Sequence, residues 1–134
     1  MRILIVDDEL DITSSLKIGL ELHGFNVDAF NDPKEAIAEF KPNFYDVLIL
    51  DIMMPQMTGF ELYRELRSKD QDVSIVFLTA FDVYYKDFPK MFPDMKVDRL
   101  MKKPIGISEL VAYLRSHEAP AKSHVNLNEP TYRN

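Results

Sequence analysis

The 134-residue sequence contains no cysteine, which excludes a disulfide scaffold, a thiolate zinc site and a cysteine nucleophile. It also lacks an excess of basic charge, because 16 Lys and Arg residues stand against 22 Asp and Glu residues, a net charge of −6 at pH 7. An acidic chain of this kind is a poor candidate for direct contact with nucleic acid or with a membrane surface. We therefore expect neither as a partner.

Long apolar runs are missing as well. No stretch approaches the length of a transmembrane span, and the apolar run that begins at Ile3 meets Asp7 too soon for a signal peptide. Neither a repeat of fixed period nor a low-complexity stretch is evident. Hydrophobic residues make up 46% of the chain and charged residues 28%, as in ordinary globular domains. These features predict a soluble cytoplasmic protein with one domain.

Short apolar runs alternate with helical patterns along the chain. The clearest runs are residues 3–6, 47–50 and 75–78, and weaker ones are residues 25–29 and 97–101. Runs that are apolar throughout are typical of parallel strands covered on both faces. Helical spacing fits residues 10–23, 33–40, 59–68 and 107–117. This order predicts an α/β fold with a doubly wound parallel sheet and right-handed crossovers.

Two segments interrupt the alternation of strands and helices. A fourth helix is expected between residues 81 and 96, but Pro89 and Pro93 lie within it. Because proline inside a helix costs about 3 kcal/mol, we predict that this fourth helix is irregular. The sequence after residue 118 is polar and contains Pro120 and Pro130. We therefore predict a domain at residues 1–118 and a mobile tail, or the start of a linker, at residues 119–134.

Five polar side chains follow the predicted strands: Asp7 and Asp8 follow the first, Asp51 the third, Thr79 the fourth and Lys103 the fifth. Since the carboxyl ends of parallel strands form the ligand crevice of such folds, we expect these side chains to converge. Three adjacent carboxylates need a cation, and Mg²⁺ prefers one or two of them with several waters. A cation beside a carboxylate nucleophile suits phosphoryl transfer through an aspartyl phosphate. Asp51, alone at the end of the central strand, is the best-placed nucleophile.

Four of these side chains also have a purely structural interpretation when each is taken by itself. Asp7, Asp8 and Thr79 could cap the segments that follow them, and Lys103 could be a solvated lysine. The convergence of five polar side chains at one edge of the sheet favours a functional site over these separate explanations.

The sequence resembles the receiver domain of two-component response regulators, and in particular stand-alone receivers of the chemotaxis-regulator kind. The matching segments are ILIVDDE at residues 3–9, DIMMPQMTG at residues 51–59, FLTA at residues 77–80 and KP at residues 103–104. They lie in the family's order, and the resemblance as a whole covers residues 1 to about 117. The resemblance implies a flavodoxin-like (βα)5 fold with strand order 2-1-3-4-5.

The resemblance also implies roles for the acidic residues. Asp51 corresponds to the phospho-acceptor. Asp8 and Asp51 correspond to Mg²⁺ ligands, together with the backbone carbonyl of Met53. Asp7 would act in the same site, largely through water.

Thr79 and Lys103 are the phosphoryl-binding and switch residues that the resemblance implies. Thr79 would bind the phosphoryl group and signal its presence, and Lys103 would pair first with Asp51 and then with the phosphoryl oxygens. A cis peptide bond is implied between Lys103 and Pro104. Family members often carry Tyr or Phe three residues before the lysine, where this sequence has Leu100. Leu100 would therefore be a variant of the family's aromatic switch, without the ring that the common form uses. The nearby aromatic residues that either substitute for it or merely pack are Phe81, Tyr84 and Tyr85.

By this resemblance the protein is a response regulator receiver that takes a phosphoryl group from a sensor histidine kinase or a phosphotransfer protein and then switches a protein-interaction surface. It would catalyse only its own phosphorylation and dephosphorylation, so it is not expected to be an enzyme in the ordinary sense. The downstream partner is a protein that the sequence does not identify. A homodimer would form through the face made by the fourth helix, the fifth strand and the fifth helix.

Three other functions compete with this interpretation. A constitutive interaction module with the same fold that does not use phosphorylation stays open. A phosphatase of the haloacid dehalogenase kind is disfavoured, because Met53 and Glu9 stand where a second aspartate would follow Asp51 and Asp7. A flavodoxin-like electron carrier is disfavoured, because Asp7, Asp8 and Glu9 would repel the phosphate of its cofactor.

Overall fold

The computed structural model describes residues 1–81, 88, 90 and 92–117. Five strands and four helices are assigned in this part of the chain. In chain order they are β1 (Arg2–Val6), α1 (Leu10–Leu22), β2 (Asn26–Phe30), α2 (Pro33–Glu39), β3 (Val47–Asp51), α3 (Gly59–Lys69), β4 (Ser74–Thr79), β5 (Arg99–Lys102) and α4 (Ile107–Ser116). Helix α4 is the one predicted at residues 107–117.

The predicted irregular fourth helix lies largely outside the described residues. Tyr84, Tyr85 and Pro89 are among those left undescribed, and so is the predicted tail at residues 119–134. Both stay predictions from the sequence.

The five strands form one parallel sheet in the order β2-β1-β3-β4-β5. Ile49 on the central strand β3 is aligned with Ile5 on β1 and with Val76 on β4. This is the flavodoxin-like topology that the sequence predicted. Every residue of β3 is buried, because helices cover both faces of the sheet, and its apolar sequence follows from that.

Helices α1 and α4 cover one face of the sheet, and α2 and α3 cover the other. Successive residues of a strand point to opposite faces, so β1 divides its side chains between two cores. One core contains Ile3, Ile5, Leu16, Leu20, Leu110 and Leu114. The other contains Leu4, Val6, Leu48, Leu50, Leu62 and Leu66. Each fully buried side chain of this size contributes about 1.5–3 kcal/mol to folding.

Strand β5 begins at Arg99, two residues later than predicted. The backbone N–H of Asp98 donates to the Ile75 carbonyl at 2.8 Å, as in a strand. The Ile75 N–H, however, donates to Asp98 Oδ2 at 2.7 Å. An aspartate side chain therefore replaces a backbone carbonyl at this point, and regular pairing starts only after it.

Candidate functional site

The site lies at the carboxyl edge of the sheet. Asp7 directly follows β1, and Lys103 directly follows β5. Asp51 and Thr79 are the last residues of β3 and β4. Each of these strands therefore ends one residue later than the sequence predicted. The backbone N–H of Lys103 donates to the Thr79 carbonyl at 2.7 Å, which joins the ends of the two strands.

Three carboxylates meet at this edge, as the sequence predicted. Asp7, Asp8 and Asp51 each offer an oxygen, and these atoms lie within 4.8 Å of one another. Asp7 and Asp51 are buried, with 0% and 4% exposed, whereas Asp8 is partly exposed. The cluster therefore has one open side, toward Asp8.

Lys103 is the cation of the cluster. Its Nζ lies 2.7 Å from Asp7 Oδ2 and 3.3 Å from Asp51 Oδ1. It also lies 3.5 Å from Glu9 Oε1, whose side chain is 60% exposed. The sequence reasoning did not assign Glu9 to the site, although it directly follows the acidic pair. The predicted partner Asp51 is thus one of three carboxylates around Lys103, and Asp7 is closer to it.

The backbone around Asp7 orients its carboxylate. Its N–H donates to the Phe30 carbonyl at 3.1 Å, and its own carbonyl accepts from Asn31 Nδ2 at 2.9 Å. Asp7 Oδ1 accepts the backbone N–H of Glu9 at 2.9 Å. The N-cap of α1 is Glu9, so Asp8 is not the helix cap that the structural interpretation allowed. Asp7 fits the capping interpretation in one respect, because its carboxylate accepts the Glu9 N–H at the start of the helix.

Burial and the closeness of the charged groups determine the pKa values in the cluster. Burial raises the pKa of Asp51 to about 7, and the charge of Asp7 adds to this while Lys103 counteracts it. Burial likewise raises the pKa of Asp7. Burial by itself would lower the pKa of Lys103, but the Asp7 and Asp51 carboxylates outweigh it and raise that pKa. One ammonium group thus faces an excess of carboxylate charge, which is the situation that a hard divalent cation relieves.

The residues present fit a magnesium ion. Carboxylate oxygens are the ligands that Mg²⁺ prefers, and Asp7, Asp8 and Asp51 bring three of them together. Met53 lies two residues beyond Asp51 in the loop to α3, with a side chain that is 46% exposed. Its backbone carbonyl as a ligand stays a prediction.

The loop after Asp51 turns tightly into α3. The N–H of Gly59 donates to the Ile52 carbonyl at 2.7 Å. A Cβ at Gly59 would lie 2.8 Å from Ile52 Cα and would overlap the Asp51 carbonyl oxygen. Only glycine lets the helix begin this close to Asp51. Thr58 and Glu61 form a capping box at the same place, which the spacing T-x-x-E at residues 58–61 would have indicated.

Thr79 is 1% exposed, and its Oγ1 accepts the Phe81 N–H at 3.0 Å. The hydroxyl thus binds a backbone N–H two residues on, and its hydrogen can still donate to another oxygen. The Lys103–Pro104 peptide bond is cis, as the resemblance implied. Leu100 is half-buried and packs against the core beneath α2 and α3.

Comparison with known proteins shows which family the chain matches. The family model described as response regulator receiver domain matches residues 3–115. The chain is 37% identical to the transcriptional regulatory protein TrcR of Mycobacterium tuberculosis over 138 aligned positions, covering 98% of the chain and 53% of TrcR. It is 36% identical to the response regulator MprA of Mycobacterium avium over 116 positions, covering 87% of the chain and 50% of MprA. The chain thus spans about half the length of the curated relatives it matches.

Two solved structures show similar folds. One is the chemotaxis protein CheY4 of Vibrio cholerae, with a TM-score of 0.75 and 27% identity, covering 86% of this chain and 96% of CheY4. The other is the response regulator protein TrrA of Thermotoga maritima in complex with Mg²⁺-BeF, with a TM-score of 0.70 and 33% identity, covering 86% of this chain and 96% of TrrA.

Among the helices that the structure describes, none is long and apolar enough to span a bilayer.

Proposed function

Because the chain belongs to the response regulator receiver domain family of two-component systems, we propose that it accepts a phosphoryl group on Asp51. The observation that supports this most directly is the position of that carboxylate. Asp51 ends the central strand, is 4% exposed, and lies 3.3 Å from the ammonium group of Lys103 within a cluster of carboxylates. A nucleophile for phosphoryl transfer needs such a fixed position and a cationic environment for the incoming charge.

The donor in this proposal is a phosphohistidine of a sensor histidine kinase or of a phosphotransfer protein. An Asp51 Oδ atom attacks phosphorus, so that a P–O bond forms while the P–N bond breaks. The electron pair of the broken bond stays on the imidazole nitrogen, which takes up a proton. Asp51 must be deprotonated to attack, and the nearby ammonium of Lys103 favours that form.

The carboxylates of Asp8 and Asp51 and the carbonyl of Met53 would hold Mg²⁺, with Asp7 acting through water. When bound, Mg²⁺ would neutralise the carboxylates and the charge on the phosphoryl oxygens. The Mg²⁺-BeF complex of TrrA supports this assignment. Lys103 would then pair with one phosphoryl oxygen, and the Thr79 hydroxyl would donate to another.

In this proposal the phosphorylated chain presents a changed surface to a downstream protein. The face around β5 and α4 is the surface we propose for a homodimer. A relative named a transcriptional regulatory protein supports an output in transcription, with the nucleic acid contacted by something other than this acidic domain. Reactions other than self-phosphorylation and self-dephosphorylation are not part of the proposal, and a cytoplasmic location stays a prediction.

Intact-mass spectrometry after incubation with acetyl phosphate tests the proposal. The wild-type chain should gain one phosphoryl group with Mg²⁺ and none without it, whereas Asp51→Asn should gain none. Asp72→Asn is the matched control, because Asp72 is exposed and precedes β4 at the opposite edge of the sheet. A wild-type chain that stays unmodified with Mg²⁺, both with acetyl phosphate and with phosphorylated histidine kinases, would favour the constitutive interaction module.

A further inference from the structure

We infer that helix α3, rather than residue 100, links the Asp51 site to Phe88, Phe92 and Lys96, which lie between β4 and β5. The inference rests on the proposed function and concerns how the state of that site is transmitted. Helix α3 contacts the loop after Asp51 at its N-terminus, and further along it contacts Phe88, Phe92 and the backbone of Lys96. One rigid element therefore joins the proposed acceptor residue to these three residues.

The first contact is between the start of α3 and the backbone of the acceptor. Gly59, the first residue of α3, donates its N–H to the Ile52 carbonyl at 2.7 Å. Any side chain at Gly59 would overlap the Asp51 carbonyl. With no free space between the helix and the acceptor strand, a shift of the backbone at Asp51 must move α3 or be prevented by it.

The second contact is an aromatic cluster, which we define as Phe60, Phe77, Phe88 and Phe92. Phe60 on the first turn of α3 lies 6.2 Å from Phe88 and 4.4 Å from Phe92 between ring centroids. Phe77 on β4 completes the cluster, 5.6 Å from Phe60 and 5.7 Å from Phe88. Phe88 is only 6% exposed. These spacings are those of favourable aromatic pairs, so Phe88 is held against α3 and β4 together, and Phe92 against α3.

The third contact lies further along α3, at the backbone of Lys96. The Lys96 N–H donates to the hydroxyl oxygen of Tyr63 at 2.9 Å. The Lys96 carbonyl accepts from Arg67 Nη2 at 2.7 Å. Arg67 Nη1 also donates to the Val73 carbonyl at 2.7 Å. Two side chains one turn apart on α3 thus bind both polar groups of one peptide backbone, just before β5.

Among the described residues, residue 100 offers no equivalent aromatic or hydrogen-bonded connection. Leu100 is aligned with Phe77 across the β4–β5 pair and is half-buried against the same core. An aliphatic side chain there has neither a ring to exchange between two positions nor a hydroxyl to donate. On α3, the ring that contacts Phe88 and Phe92 is that of Phe60.

Amide chemical shifts provide the test. A ¹⁵N-labelled chain is titrated with beryllofluoride and Mg²⁺, and the shifts of residues 92–98 are compared with those of Ile52, next to Asp51. In the wild-type chain both sets should change. In Phe60→Leu and in Tyr63→Phe the Ile52 change should persist while the changes at residues 92–98 shrink. Phe60→Leu should also speed hydrogen exchange at residues 92–98 about tenfold, which corresponds to about 1.4 kcal/mol.

Phe44→Leu is the matched control, since Phe44 is a partly buried aromatic residue that packs on Tyr45. It should leave the response of residues 92–98 unchanged, and Leu100→Ala should also retain that response. Full wild-type changes in both Phe60→Leu and Tyr63→Phe would overturn the inference, as would loss of the response in Leu100→Ala. A wild-type response confined to Ile52 would overturn it while sparing the proposed function. If no amide responded at all, the proposed function would fail as well.

Discussion

Lys103 lies closer to Asp7 than to Asp51, at 2.7 Å against 3.3 Å. Asp7 is fully buried and remains a partner for the ammonium group whatever happens to the charge of Asp51. Lys103 is therefore anchored by one carboxylate while it faces the other. Such an arrangement keeps the ammonium group in place for an incoming phosphoryl oxygen without a large change of side-chain conformation.

Removal of the Lys103 ammonium group should destabilise the fold. In Lys103→Ala, Asp7 and Asp51 lose their common counter-charge inside a buried site, and breaking such a pair costs about 3–5 kcal/mol. We expect the free energy of unfolding in urea, at pH 8 and without divalent cations, to fall by about 3 kcal/mol. Lys102→Ala, at the adjacent and exposed position, should change it by less than about 0.5 kcal/mol. Equal losses in the two variants would contradict an anchoring role for Lys103.

Asp51 should make stability depend on pH. Its pKa is about 7 in the folded chain and close to 3.9 in the unfolded chain. Between these values the folded state holds the proton and the unfolded state does not. The contribution of Asp51 to the free energy of unfolding therefore falls as pH rises from about 4 to 7, and above that it is constant. Each pH unit in this window costs up to about 1.4 kcal/mol.

The variant Asp51→Asn should remove this contribution. Without divalent cations it should be more stable than the wild-type chain by about 1–3 kcal/mol at pH 8, and the two should converge toward pH 4. Urea unfolding across that pH range measures the difference, with Asp72→Asn as control. An Asp51→Asn chain that is less stable than wild type at pH 8 would show that the carboxylate charge is not a burden to the fold.

Magnesium should stabilise the wild-type chain, since the ion binds only where the carboxylates are brought together. At a Mg²⁺ concentration ten times the dissociation constant the gain is about 1.4 kcal/mol. Thermal unfolding followed by circular dichroism with and without Mg²⁺ measures it. Asp8→Asn should lose most of this stabilisation by Mg²⁺, because Asp8 offers one of the three carboxylate oxygens of the cluster. If Asp8→Asn kept the full stabilisation by Mg²⁺, Asp8 would not be a ligand of the ion.

Gly59→Ala should disturb both the fold and the site. The added methyl group meets the backbone of Asp51 and Ile52, which cannot rotate away. We expect a loss of stability of about 1–3 kcal/mol and slower phosphorylation of Asp51 by acetyl phosphate. Gly106→Ala, where an added Cβ meets no atom within 4 Å, is the comparison. Similar stability and phosphorylation rates in the two variants would refute the tight packing at the start of α3.

The sequence by itself predicted the sheet and most of the site. The uninterrupted apolar runs at β1, β3 and β4 occur because those strands are covered on both faces, and periodicity is a local property that a sequence displays directly. The convergence of Asp7, Asp51, Thr79 and Lys103 followed from their positions at strand ends, since parallel strands bring those ends to one edge. These predictions needed no knowledge of side-chain packing.

Only the tertiary structure decided which of the converging groups touch. Lys103 binds Asp7 more closely than Asp51, and Glu9 joins them, because the depth of each carboxylate depends on how α1 and β5 pack. No sequence pattern links Phe60 to Phe88 and Phe92, yet packing places the rings of both residues against that of Phe60. Strand ends are determined by local pattern, whereas contacts between elements depend on the shapes of side chains far apart in the chain, and these are decided only when the core closes.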